Sequence, residues 1–139
     1  MIKKLDDEIS LKTLFKVDDS RGSIIVMENE NLPFEVKRSF VILHKNGKRG
    51  NHAHMAAKQL LVCLSGKLNI HIVGKNIDDY IELNRPDLAL YAPPKTWLEL
   101  KDIAENSVIL VLSSERYESS DYINNFNDFI SIINGMEND

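Results

Sequence analysis

An all-β sandwich or barrel carrying one C-terminal helix is the fold this sequence predicts, on three observations. Short runs of branched and aromatic residues recur along most of the chain. Turn residues separate them at short, fairly regular intervals, as they do in sandwiches and barrels. Only beyond residue 119 does the apolar spacing change from a period of two to that of a helix.

SIIVMEN (23–29) and VKRSFVILH (36–44) read as strands, and HKNGKRGNHAH (44–54) holds an Asn46-Gly47 pair suited to a tight turn. QLLVCLSG (59–66) follows. In KLNIHIVGK (67–75), Leu68, Ile70 and Ile72 alternate with Asn69, His71 and Val73, which gives the strand one apolar face. DYIELN, ALYAPP, TWLELKD and SVILVLSS continue the series, with Gly74, Pro86, Pro93 and Pro94 as punctuation. The pattern amounts to about ten short strands. In the tail, Tyr122, Phe126, Phe129, Ile130 and Ile133 recur at helical spacing behind Ser119 and Ser120, either of which can cap. This predicts an amphipathic helix over about 120–134, packed on the outside of the sheet.

With 139 residues and 43% apolar content, the chain suits one domain, 1–139, closed around one core. Formal charge is −4, and lysines and arginines are scattered rather than gathered on one face, which argues against a nucleic-acid partner. A small anionic ligand met by a few arginines fits the same distribution. No apolar run reaches half the length a bilayer needs, and the N-terminal MIKKLDDEIS lacks a signal-peptide core, so no membrane is expected and the location is cytoplasmic. The single cysteine, Cys63, sits inside LLVCL and reads as a buried apolar residue rather than a nucleophile.

The chemistry-bearing stretch is RGNHAHMAAKQLLVCLSG (49–66). On a strand, residues i and i+2 share a face about 6.6 Å apart, so His52 and His54 project together. The spacing resembles the first motif of the cupin superfamily, in which H-x-H is followed by four residues, a carboxylate, six residues and a glycine. Here the carboxylate position is Gln59 and the glycine is Gly66. A third histidine, expected five residues after a proline, is replaced by Leu98, counting from Pro93. A neutral amide and an alkyl chain do not hold a catalytic divalent ion, so the expectation is a pocket with no metal and no cofactor. Two histidines on one face instead suit a reaction that moves a proton between adjacent carbons.

Further stretches, DDSRGSI, LPFEVKRSFVI, RGNHAH, QLLVCLSG, LYAPPKTWLEL and VLSSERYESSDYI, resemble in order and spacing the dTDP-sugar 3,4-ketoisomerases, small cupins of the WxcM-like, FdtA/QdtA group. The resemblance runs from about residue 15 to residue 133. It implies a jelly-roll cupin barrel that converts dTDP-4-keto-6-deoxyglucose to a 3-keto isomer, without metal or organic cofactor, on the way to 3-amino sugars of bacterial surface polysaccharide. It also implies a homodimer with exchanged N-terminal strands. His52 and His54 are the implied catalytic residues, with His54 preferred as the carbon base. Arg21, Arg38 and Arg49 match arginines of the family pattern and are expected at the substrate, the last two at the diphosphate. The Arg21-Gly22 pair resembles the branch giving the galacto-configured product.

Phe40 stands where relatives tend to have tyrosine and keeps a ring for packing or stacking. Tyr91 is expected to line the pocket, and Trp97 to belong to the core. Met55 replaces a frequent lysine, and Leu98 departs from the family's WHE stretch. His44 and His71 receive no role. Two other readings stay open at this level, a catalytically silent nucleotide-sugar-binding cupin and a dTDP-sugar 3,5-epimerase.

Overall fold

The computed structural model describes residues 2–6 and 8–135. Its strands are β1 (Ile2–Lys4), β2 (Ser10–Thr13), β3 (Phe15–Asp19), β4 (Gly22–Val26), β5 (Arg38–Leu43), β6 (Arg49–His54) and β7 (Gln59–Ser65). They continue as β8 (Leu68–Gly74), β9 (Ile77–Leu83), β10 (Leu88–Ala92), β11 (Trp97–Lys101), β12 (Val108–Ser113) and β13 (Tyr122–Ile123), before one helix, α1 (Phe126–Gly135). Two antiparallel sheets face each other, in the orders β1-β2-β10-β7-β12-β5 and β13-β6-β11-β8-β9, and the β3–β4 hairpin forms a third, two-stranded sheet. The molecule is all-β with a short C-terminal helix, the two-sheet jelly roll of a cupin barrel.

The alternation in β7 shows how the layers arise. Leu61 and Cys63 turn into the space between the sheets, where Ile70, Ile72, Leu98 and Leu100 meet Leu90, Ile109 and Val111. Leu60 and Val62, one residue out of phase, face outward and are covered by Leu14, Phe34 and the segment holding Ile25, Met27, Leu32 and Val36. On the outside of the other sheet, Ala53, Val73, Trp97 and Ile123 receive Phe129 and Ile133 of α1. Each fully buried side chain of this size contributes about 1.5–3 kcal/mol.

The structure differs from the sequence expectation in two places. The helix begins at Phe126 rather than near 120, because Asn125 caps it: its side-chain Oδ1 accepts the Asp128 N–H at 2.9 Å. Ser119 and Ser120 lie instead in a 3₁₀ turn (Ser119–Asp121) that leads into β13. The strands number more than about ten because β1, β2, β3 and β13 are short or polar and carry little apolar alternation. Main-chain pairing recruits them, as in Tyr122 opposite His54. Among the described residues, no helix is long and apolar enough to cross a membrane.

Candidate active site at the barrel mouth

Strand β6 carries the histidine pair, and its path is set by a bulge. His52 pairs with Leu98 and Gly50 with the next residue, Glu99, so Asn51 is the extra residue between them. Gly50 and Asn51 both have positive φ, +84° and +59°. A Cβ on Gly50 would stand 2.8 Å from the Leu98 carbonyl oxygen, so glycine is required there for sterics as well as φ. Beyond the bulge the alternation changes parity. Arg49 comes to lie opposite Leu100, a residue of the inner core, and therefore on the same side of the sheet as His52 and His54.

His52 and His54 meet edge to face, with ring centroids 5.2 Å apart. His52 Nδ1 lies 3.0 Å from the Gly50 carbonyl oxygen. A carbonyl only accepts, so in the neutral ring Nδ1 carries the proton and Nε2 keeps its lone pair. His54 Nδ1 likewise donates to Asp121 Oδ2, at 2.9 Å, and its Nε2 is buried without a partner. Burial pulls the pKa of both rings below the ordinary histidine value. For His52 the neighbouring His54 adds to the effect and the Gly50 carbonyl opposes it. For His54 the Asp121 carboxylate opposes the shift, while the positive charge of Arg38 adds to it. Both rings are therefore neutral near pH 7, each with one uncommitted basic nitrogen.

The Tyr122 ring lies 4.4 Å from His54 and 5.0 Å from His52, centroid to centroid. Its hydroxyl accepts a hydrogen bond from Arg38 Nη1 at 3.4 Å. The Arg38 guanidinium sits over the Phe40 ring at 4.6 Å and the Tyr117 ring at 5.0 Å, which fixes its plane. A cleft of about 60 Å³ opens beside the pair, lined by Phe40, His52, Gln59, Leu61, Leu98 and Val111 among others. His52 borders this cleft; His54 is not among its lining residues and is 6% exposed. Gln59 and Leu98 both face the cleft beside His52, so the positions that would complete a cupin metal set hold an amide and an alkyl chain. Among the described residues, no three His, Cys, Asp or Glu side chains are grouped to hold a metal ion.

Of the residues singled out in the sequence, Arg38, Phe40, His52 and His54 come together, and Arg49 stands exposed at the rim on their side of the sheet. Arg21 lies on the β3–β4 hairpin, strongly exposed and paired with Asp19 at 2.8 Å. Tyr91 is a correction. It packs with Phe34, at 6.2 Å, in the outer apolar layer rather than at the histidines, because Leu90 takes the inward position of β10. Trp97 is buried against Phe126 and Phe129, and Cys63 lies in the core. Sequence reasoning did not find Asp121, Tyr122 or Tyr117. The SSDYI stretch carried the only signal, and its serines suggested a helix start.

Comparison with known proteins decides the family. The family model described as FdtA, WxcM-like, C-terminal, matches residues 7–134. The chain belongs to the FdtA family. Among similar proteins is the TDP-4-oxo-6-deoxy-alpha-D-glucose-3,4-oxoisomerase of Aneurinibacillus thermoaerophilus, 40% identical over 125 residues, which cover 86% of this chain and 90% of that one. A mutant of the 3,4-ketoisomerase QdtA from Thermoanaerobacterium thermosaccharolyticum, solved with TDP-4-keto-6-deoxyglucose, has a TM-score of 0.87 at 32% identity, covering 93% of this chain and 96% of its own. The WlaRB TDP-quinovose 3,4-ketoisomerase of Campylobacter jejuni has a TM-score of 0.85 at 35% identity, covering 91% and 99%. Within the FdtA family, then, this chain places its paired imidazoles, an arginine and three aromatic rings at one end of the barrel.

Proposed function

We propose that the chain catalyses 3,4-ketoisomerisation of dTDP-4-keto-6-deoxy-D-glucose. The observation that carries this reading is the pair of neutral imidazoles, each with a bare Nε2, set 5.2 Å apart at the edge of a cleft. Relatives named as 3,4-ketoisomerases, one of them solved with this keto-sugar, support the substrate class.

The reaction moves two protons. A base removes the proton from carbon 3, acidified by the adjacent ketone, and an enediolate results as the oxygen 3 proton passes through the second imidazole to oxygen 4. Return of the base's proton to carbon 4 leaves the 3-ketone. Because His52 lines the cleft while His54 is more deeply buried and outside its lining, His52 suits the carbon proton and His54 the oxygens. This exchanges the roles the sequence suggested. The Arg38 guanidinium, whose plane is set between Phe40 and Tyr117, suits the diphosphate, with Arg49 at the rim as a second cation. The cleft, about 60 Å³, takes only part of a sugar ring, so the nucleotide lies across its mouth. Gln59 and Leu98 beside His52 support a reaction without a bound metal, since an amide and an alkyl chain are poor ligands.

The active form we propose is a homodimer with exchanged N-terminal strands, in which Arg21 reaches the sugar and the product is galacto-configured at carbon 4. The 3-ketone is the group an amine-transferring enzyme would take to a 3-amino-3,6-dideoxy sugar of bacterial surface polysaccharide.

The test is proton NMR of dTDP-4-keto-6-deoxyglucose in heavy water with metal-stripped protein. Deuterium at the exchanging carbon together with a new 3-keto species is expected, and the couplings report the carbon 4 configuration. An unchanged spectrum with binding intact would make the chain a silent nucleotide-sugar binder.

A further inference from the structure

Asp121 is held by three hydrogen bonds from the chain that follows His54, two to its carboxylate and one to its main-chain carbonyl. Its Oδ1 accepts the Ala56 N–H at 2.7 Å, its Oδ2 the Ala57 N–H at 3.4 Å, and its carbonyl oxygen the Met55 N–H at 2.9 Å. The side chain is 13% exposed. Thus Oδ1 is committed to the main chain, and Oδ2 presents an acceptor to His54 Nδ1 at 2.9 Å. An ionised carboxylate has no proton to give, so the histidine nitrogen facing it must be the protonated one.

We propose that Asp121 is a positioning residue of this site: it holds His54 in the Nδ1–H tautomer, so that Nε2 faces the reacting oxygens as a proton acceptor. The role rests on the isomerase reading given above; the tautomer does not.

The obvious alternative is that Asp121 only clasps the 3₁₀ turn to the end of β6. Asp121→Asn separates the two. Ala56 N–H still requires an acceptor, so the amide oxygen takes that position and the NH₂ group turns to His54. A donor then faces Nδ1, which must accept, and the proton moves to Nε2. The Ala56 and Met55 bonds of the clasp survive, the longer Ala57 bond is lost, and the histidine is inverted.

The experiment is ¹⁵N NMR of the imidazoles in the labelled full chain, with steady-state kinetics on the same samples. In the unaltered protein, His54 is expected with a protonated Nδ1 and a bare Nε2. In Asp121→Asn the pattern should invert, kcat should fall about 100-fold or more, and KM should stay within about twofold. A bare Nδ1 in the unaltered protein overturns the proposal with no variant needed, whether or not Asp121→Asn folds. So does an Asp121→Asn protein that keeps kcat within about twofold, or one whose tautomer does not change. If the unaltered protein fails to convert the keto-sugar, the isomerase reading falls, and the tautomer pair still decides what Asp121 does to His54.

Discussion

An imidazole acts as a base only while neutral, and burial at the barrel mouth holds both site histidines below the ordinary histidine range. The plateau of the activity profile should therefore extend below about pH 6.5, with kcat/KM falling on its acid limb as the pair is protonated. His52→Asn keeps a polar side chain of similar reach but cannot take a carbon proton. We expect kcat to drop about 100-fold or more, with the affinity for the nucleotide sugar within a few fold; a variant retaining a tenth of the activity would remove His52 from the carbon. Arg38 serves binding instead. Its loss in Arg38→Ala should raise KM by about 10- to 150-fold, the equivalent of about 1.5–3 kcal/mol for a charged hydrogen bond. An unchanged KM would leave the guanidinium as packing for Phe40 and Tyr117. Period-two spacing made the His52–His54 pair legible in the sequence, whereas Arg38 and Phe40 were picked out by the family resemblance. Asp121 was not, because its partner lies 67 residues away and only the folded register of β13 on β6 brings them together. Tyr91 went astray for a related reason: alternation says that neighbours in β10 face opposite ways, and not which of them faces inward.

At the scale of elements, the outer face of β8, β9 and β11 carries a second charged histidine cluster, remote from the cleft. His71 Nε2 lies 2.6 Å from Asp78 Oδ1 and Nδ1 3.1 Å from Glu99 Oε1, and the Tyr80 ring stacks on it at 4.4 Å. Glu99 also accepts from Trp97 Nε1 at 3.1 Å and pairs with Lys101 at 3.3 Å, tying the cluster to the residue on which α1 packs. Burial pulls the His71 pKa down, but the bonds to Asp78 and Glu99 outweigh it and leave it raised. A folded value above the unfolded one means that this stabilisation is complete below about pH 6.5 and fades as pH rises through the raised value. Glu99, depressed by Trp97, His71 and Lys101 against the opposing effect of burial, loses its share only when pH falls through its own lowered value. In urea unfolding, His71→Gln should therefore cost about 1 kcal/mol at pH 5.5 to 6 and much less above pH 9, with salt reducing the difference because Asp78 is exposed. A cost independent of pH would mean that ring stacking on Tyr80, rather than charge, matters here. The strands of this face were legible from their alternating apolar residues. The bulge at Asn51 was not read from RGNHAH, where Gly50 inside the strand is its mark, and that bulge is what returns Arg49 to the side of the histidines.

At the scale of the whole molecule, the single chain leaves apolar surface uncovered on the β3–β4 hairpin and on β5. Phe15, Val17 and Ile24 on the β3–β4 hairpin are 58%, 46% and 62% exposed, and Val41 and Leu43 on β5 are 52% and 73% exposed. Among the described residues β5 ends its sheet, paired to β12 alone, so it offers free backbone groups beside that apolar surface. Such an edge invites another strand. A homodimer that seats each hairpin against the other copy covers both places at once, and it carries Arg21, solvent-exposed in the single chain, toward a second cleft. Mixing two defective chains tests this. In a hybrid of Arg21→Ala with His52→Asn, an Arg21 that crosses to the other copy leaves one cleft with both groups intact and the other with neither. Random subunit exchange makes half the dimers hybrid, so the mixture should recover about a quarter of full activity, while each parent alone stays inactive. If Arg21 serves the cleft of its own chain, every site in the mixture lacks one group and no activity returns.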